Sequence, residues 1–258
     1  MLIRRVLLVL GALAMTAPMM VAGSAEAAVP KKAITCGMVV RESIQLYLAR
    51  DLYCPAFAVR VEQDQEGPGP IPKVTVDLRG HTLRGDGTGR GITAFGYPGQ
   101  AEVTVKDGVL KNWDIAVGGD TNTQIKGVAL IGNKRSFFCN GSCTADLAIF
   151  KDNKIGLNVG AEAYARVSRS TFVGNDIGGQ VGWIWTLEVD SSLFLQNKTG
   201  ILANTSRPIV RNTAFVKNGT AIRVDVESPE SNDFACADLA NVRFAGNKKN
   251  LVGPRCAT

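Results

Sequence analysis

Apolar residues along this chain come in short patches, each only a few residues long, in which inward and outward positions alternate. Between Asn175 and Asn197 the patches are Val181-Trp183-Trp185, Leu187-Val189 and Leu193-Leu195, separated by Gly, Asp and Ser. Alternation over so few residues, rich in β-branched and aromatic side chains, predicts strands, and no run at 3.6-residue spacing is long enough for a helix. One frame recurs: STFVGN (170–175), SLFLQN (192–197), TAFVKN (213–218) and VRFAGN (242–247) each place a phenylalanine three residues before an asparagine. Weaker copies upstream, DGVLKN (107–112), VALIGN (128–133) and AIFKDN (148–153), put Val109, Leu130 and Phe150 in the same slot. The seven asparagines are spaced by 21, 20, 22, 22, 21 and 29 residues.

A period of this length signals a stacked architecture. Its residue types predict an all-β fold, a right-handed parallel β-helix (solenoid) with an N-terminal cap and coils of about 20–22 residues. Each coil holds about three short strands, paired in parallel with their copies one coil away; parallel crossovers take the right hand. The recurring asparagine is expected at a corner in the left-handed conformation that Asn tolerates, with its amide handed on to the next copy. Gly156, Gly178 and Gly200, followed by Ala221 in the next coil, are expected to let the chain turn tightly.

Ile44, Leu46 and Leu48 alternate, as do Phe57, Val59 and Val61, so residues 28–73 are expected to carry the N-terminal cap and the first strands. Residues 62–73 read as a polar Gly/Pro loop, and 74–258 as the β-helix with a disulfide-stapled end. The insertion between Val226 and Ala237 accounts for the longest spacing. The F-x-x-N-x-x-G-I pattern of Phe194 to Ile201, VTVDLRGHTLRGDG from Val74 to Gly87, and the opening Cys36-Gly37 with Asp51-Leu52-Tyr53-Cys54 resemble the secreted bacterial right-handed parallel β-helix repeat proteins. That group is related in fold to pectate lyases and to periplasmic copper-processing β-helix proteins. The resemblance covers most of residues 36 to 253 and implies the fold; it leaves the activity open.

Arg4 and Arg5, the apolar run Val6 to Ala14 and Ala25-Glu26-Ala27 form the pattern of a secretory signal peptide over residues 1–27, cleaved near Ala27. The apolar run is too short for a transmembrane segment. A secreted or periplasmic protein follows. The formal net charge of +6 falls to about +5 without those residues, which suits an acidic glycan or simple solubility. No basic run points to nucleic acid, and a monomer is expected. Six cysteines in an oxidising compartment imply disulfides, and three well-separated pairs favour Cys36 with Cys54, Cys139 with Cys143, and Cys236 with Cys256.

Chemistry is sought on the outer lanes, because equal positions of successive coils become neighbours. Setting Val167, Val189, Val210 and Leu239 in one inward lane puts Ser168, Asp190 and Arg211 in one outward lane and Arg166 beside Glu188 in another. Glu188 and Asp190, flanked by Arg166 and Arg211, hold the residue types of a β-elimination lyase. Such an enzyme needs a cation, such as calcium held by Glu188 and Asp190, to neutralise a uronate, and a base such as Arg211. The bland reading is a salt-bridged sheet surface. Trp183 and Trp185 share a face and either stack sugars or fill the core. Phe137 and Phe138 are a second aromatic pair beside the Cys139 loop. His81 in RGHTLRG lacks the Gly-His-Gly of the polygalacturonases and is expected to be structural; the two carboxylates of a hydrolase are not recognisable. One histidine also speaks against copper chemistry. Two functions compete: a non-catalytic module binding an extracellular polysaccharide or cell-wall component, and a lyase acting on an acidic glycan.

Overall fold

A computed structural model describes residues 29–62, 71–95, 101–160, 163–182, 186–226 and 235–256. Among them are twenty-seven strands, β1 (Lys31–Ala33) to β27 (Lys249–Val252), and no helix. The chain is a parallel β-helix. In one coil, β16 (Tyr164–Ser168) lies on a first face, β17 (Thr171–Val173) on a second and β18 (Ile177–Gly182) on a third. Each pairs in parallel with the strand three further on, β19 (Thr186–Asp190), β20 (Leu193–Leu195) and β21 (Thr199–Asn204). The first two faces form one seventeen-stranded sheet because β9 (Glu102–Lys111) and β11 (Asn122–Ile131) cross the corner between them unbroken; the third is a ten-stranded sheet.

The stacking starts early. β1 pairs with β3 (Ile44–Tyr47), β3 with β6 (Lys73–Asp77), and β2 (Met38–Val40) with β5 (Phe57–Glu62). Residues 31–62 therefore already supply strands in register with the later coils.

Phe150, Phe172, Phe194 and Phe215 are fully buried and stack ring on ring, with centroids 4.3, 4.4 and 4.7 Å apart, ending on Phe244 at 5.6 Å. In-register parallel pairing imposes this spacing, since identical positions are about 4.8 Å apart along the axis. Gly156, Gly178 and Gly200 face the stack from within the third face. A Cβ on Gly178 would stand 2.5 Å from the Gly200 carbonyl and 2.9 Å from Phe194 Cδ1. These glycines make room for the rings, rather than serving the tight turn expected of them.

The asparagines form a buried ladder. The backbone NH and Nδ2 of Asn175 both donate to Asn197 Oδ1 at 2.9 Å, and Nδ2 also donates to the Phe150 carbonyl at 2.9 Å. The same set of bonds recurs at Asn153, Asn197 and Asn218, the last handing on to Asn247. The expected left-handed backbone, however, belongs to the residue before each asparagine: Asp152, Gly174, Gln196, Lys217 and Gly246 have positive φ, while the ladder residues do not. The physical reason is division of labour. The left-handed residue turns the chain outward at the corner, and the next side chain can then point into the core.

The first repeat is shifted by one residue from the expected frame. Leu110, not Val109, pairs with Leu130, and Asn112 takes the left-handed corner with φ 56°. Trp113 fills the ladder position, fully buried, its backbone NH donating to Asn133 Oδ1 at 2.9 Å and its Nε1 to the Leu83 carbonyl at 3.2 Å. At the other corner a shorter hydroxyl ladder does similar work. Ala148 N donates to Ser170 Oγ, Ser170 N to Ser192 Oγ and Ser192 N to Thr213 Oγ1, at 3.1 to 3.3 Å.

All three disulfides join the expected pairs: Cys36 to Cys54, Cys139 to Cys143 and Cys236 to Cys256. Bonds of this kind persist in an oxidising, extracytoplasmic compartment. The expected leader (1–27) and most of the insertion (227–234) lie outside the described residues.

Candidate functional site

The outward lanes of the first face came together as expected. Val167, Val189, Val210 and Leu239 are register partners pointing inward, Ser168, Asp190 and Arg211 are partners pointing outward, and Arg166 lies opposite Glu188. Arg166 Nε is 3.7 Å from Glu188 Oε2. Asp190 accepts from Asn212 Nδ2 at 2.8 Å and from Ser191 Oγ at 3.0 Å, and these hydrogen bonds hold its carboxyl below the usual aspartate value. Tyr164, on the neighbouring lane of β16, has its phenol pushed up by burial and by a hydrogen bond to Glu188.

Arg211 turns away from this pair. Its Nη2 is 2.9 Å from Asp238 Oδ1 and its Nη1 donates to the Asp238 carbonyl at 2.9 Å. Arg207 binds the same carboxylate at 2.9 Å, so β25 (Asp238–Ala240) presents Asp238 to two arginines of β22 (Arg207–Arg211). The Asp238 hydrogen bond raises the Arg211 guanidinium above its already high value, which opposes the role of proton-accepting base. Lane alignment sets Asp238 opposite Ile209, and the reach of Arg207 and Arg211 across to it from the flanking outward lanes is not visible from register alone. For calcium, Glu188 and Asp190 supply two carboxylates, and no group of three or more metal-ligating side chains is found among the described residues.

Trp183 and Trp185 lie outside the described residues. Of the other aromatic pair, Phe137 is fully buried, and Phe138 is half-buried under the Arg135 guanidinium at 5.6 Å from its ring centre. His81 stands on a corner near the N-terminal end, its backbone NH donating to the Leu78 carbonyl at 2.8 Å and its Nδ1 3.6 Å from Asp51 Oδ1.

The first face carries more than the predicted cluster. Its middle outward lane runs Gln45, Thr75, Thr104, Gln124, Thr144 and then Arg166 and Glu188, each the register partner of the next. Three concavities follow one another along it. The first, about 200 Å³, lies between Tyr47, Thr75, Asp77 and Lys106; the second, about 210 Å³, between Thr104, Asn122, Gln124 and Thr144. The third, about 490 Å³, shares Gln124 and Thr144 with the second and runs on to Asp146, Arg166, Arg169 and Asp190. The second and third join across the middle lane into one shallow trough whose C-terminal part is the predicted cluster, and the first lies beside the same lane nearer the N-terminal end. The signal was present in the sequence as a Thr or Gln between two inward residues, in VTV (74–76), VTV (103–105), TQI (123–125) and CTA (143–145).

Charges border this neutral lane in pairs. Lys106 Nζ is 3.1 Å from Asp77 Oδ2, and Arg169 grips Asp146 with two nitrogens. Burial pushes Asp77 up, but Lys106 and the Arg79 NH outweigh it and hold the carboxyl low; Arg169, against the weaker effect of burial, does the same for Asp146. Arg79 lies over the Tyr47 ring at 4.0 Å. The trough is thus a surface of hydroxyl and amide donors and acceptors, with both charge signs along its edge. The chain matches no protein-family model, no curated protein and no solved structure.

Proposed function

We propose that this is an exported, non-catalytic module that holds an extracellular polysaccharide or cell-wall component along the trough of the first face. The observation that carries the reading is the unbroken row of Gln45, Thr75, Thr104, Gln124 and Thr144 in a single lane, repeated at about 4.8 Å per coil and flanked by the three concavities. An extended polymer of hydroxylated units needs such a row of neutral hydrogen-bonding groups more than it needs one deep pocket. The paired state of the acidic groups, with Asp77, Asp146 and Asp238 each in an ion pair, favours binding over proton transfer. Disulfides and the signal-peptide pattern of residues 1–27 support export.

A glycan array probed with the chain processed after Ala27 tests this. Retention of a polysaccharide is expected, and Thr104→Ala combined with Gln124→Ala should weaken it at least tenfold, the loss of two hydrogen bonds at about 1 kcal/mol each. Retention of no glycan, or retention that this double variant leaves unchanged, refutes the reading. The lyase alternative gives a different sign: an unsaturated uronate product that needs calcium and disappears with Glu188→Ala and Asp190→Ala.

A further inference from the structure

The second face of the solenoid is largely apolar on its outside, with Lys111, Lys151 and Arg243 set into its outward lanes. Each of its strands is about three residues long, so one side chain points in and two point out. Phe172, Phe194 and Phe215 take the inward place; Val173, Leu195 and Val216 are register partners in one outward lane, and Ile149, Thr171, Leu193 and Ala214 in the other. Ile131 extends the first lane through Lys151. Ile149 is 46% exposed and Leu147, on the adjoining corner, 49%. Leu147 also has φ 53°, at a corner position that other coils give to Asp107, Gly127, Arg169, Ser191 and Asn212. A bulky apolar residue held in a left-handed conformation and turned to solvent serves no packing purpose in the fold. From β9 to β26 (Arg243–Ala245) the stripe is roughly 30 Å long at about 4.8 Å per coil. Every residue of this face and of the two corners that flank it is described.

One rim of the stripe is basic. On the corner that leads to the third face, Asp114, Asp152 and Asp176 are each within an ion pair of Lys134, Lys151 and Lys198. Lys111, Lys154, Lys217, Lys248 and Lys249 make no ion pair among the described residues. The ridge therefore has surplus positive charge beside an exposed apolar surface. The opposite rim, from Asp107 through Gly127, Leu147, Arg169, Ser191 and Asn212 to Asn241, carries one carboxylate, Asp107, already 3.5 Å from Lys106 Nζ, so a second copy docked by this face would bring little to neutralise the lysines.

We infer that the second face docks on an anionic lipid surface, with Ile149, Leu147 and Leu195 entering the headgroup layer and the lysine ridge lying against lipid phosphates. An amphipathic surface gains from both terms: burial of apolar side chains and attraction of each lysine to the negative leaflet. The face is distinct from the trough, so a polymer on the first face and a membrane under the second can be held together.

Flotation with lipid vesicles tests the inference on the chain processed after Ala27, a cut that removes no described residue. The chain should float with vesicles containing phosphatidylglycerol, release as salt rises, and stay in solution with phosphatidylcholine alone. Lys154→Glu, Lys217→Glu and Lys248→Glu together should reduce binding about a hundredfold or more, and Ile149→Ser with Leu195→Ser about tenfold at unchanged charge. These side chains lie outside the core, and unchanged dichroism and melting verify that both variants fold. Failure to float with phosphatidylglycerol vesicles overturns the inference. So does binding that the lysine variant loses but the Ile149/Leu195 variant keeps, since that describes a polyanion site without insertion. A concentration-dependent dimer in light scattering that Ile149→Ser with Leu195→Ser abolishes would assign the stripe to a second copy instead.

Discussion

Replacing Asn197 by Leu removes an amide that serves several neighbours at once. Its Oδ1 accepts from the backbone NH and Nδ2 of Asn175, both at 2.9 Å, and its Nδ2 donates to the Phe172 carbonyl and to Asn218 Oδ1, both at 3.0 Å. Asn197 is 1% exposed, so water cannot take over these roles. Leucine is close to asparagine in shape, and the position has no left-handed strain to relieve. The cost is then that of orphaned polar groups: two donors on Asn175 and one carbonyl on Phe172. Asn218 Oδ1 keeps the Asn197 backbone NH as a donor at 2.9 Å. At about 1–3 kcal/mol per buried unsatisfied group, with some relaxation, the loss is roughly 3–6 kcal/mol. For a chain of this size that is a fall in melting temperature of about 10 °C or more. Asn112 is the internal control. It occupies the left-handed corner, where glycine is at least as comfortable, so Asn112→Gly should change stability by less than about 1 kcal/mol, whereas Asn197→Gly should cost as much as the leucine variant. Urea unfolding of the variants against the parent gives the comparison. Melting of Asn197→Leu within about 2 °C of the parent, or an equal loss in Asn112→Gly and Asn197→Gly, would refute the ladder as a source of stability.

Two further outcomes follow from the packing and the charges. Gly178→Ala should destabilise by roughly 1–3 kcal/mol because its Cβ meets Gly200 O and Phe194, whereas Gly182→Ala, with nothing within 4 Å among the described residues, should be neutral; equal melting of the two variants would contradict the packing account. Asp77, Asp146, Asp190 and Asp238 all titrate below the ordinary value of 3.8 in the fold, so their contribution is complete above that value and disappears as pH falls through the lower folded values. Melting should therefore hold level above about pH 5 and fall steeply in acid, and Asp238→Asn should lose less than the parent between about pH 6 and about pH 3; an equal acid loss counts against the Asp238 pairs.

How much of this could be read from residues alone follows from the geometry of a solenoid. Identical positions one period apart become neighbours, so aligning the repeats was enough to place Arg166 opposite Glu188 and Asp190 between Ser168 and Arg211. The same property made the asparagine ladder and the strand content legible, and the separation of the cysteines into three pairs made the disulfides so. Where the alignment itself was ambiguous, the reading slipped. DGVLKNW offers both Asn112 and Trp113 for the ladder position, and a shift of one residue exchanges the inner and outer faces of a strand. Only the packed coil decides between them, by burying Trp113 against Leu83 and turning Val109 outward.

The sequence by itself determined the period, the strand character of each patch, and which residues would stack. On the three-residue strands of the second face, the tertiary structure alone decided direction. Leu193 and Leu195 look like core residues, yet they point out because Phe194 between them claims the interior of a three-residue strand. Arg211 looks like a partner for Glu188 and Asp190, yet it pairs with Asp238, which the insertion separates from it in sequence and the next coil returns to its side. Direction escapes the sequence because a short strand has no long alternation to set its phase. Ion pairing escapes it because a long side chain can choose among several lanes, and only the folded surface shows which carboxylate lies nearest.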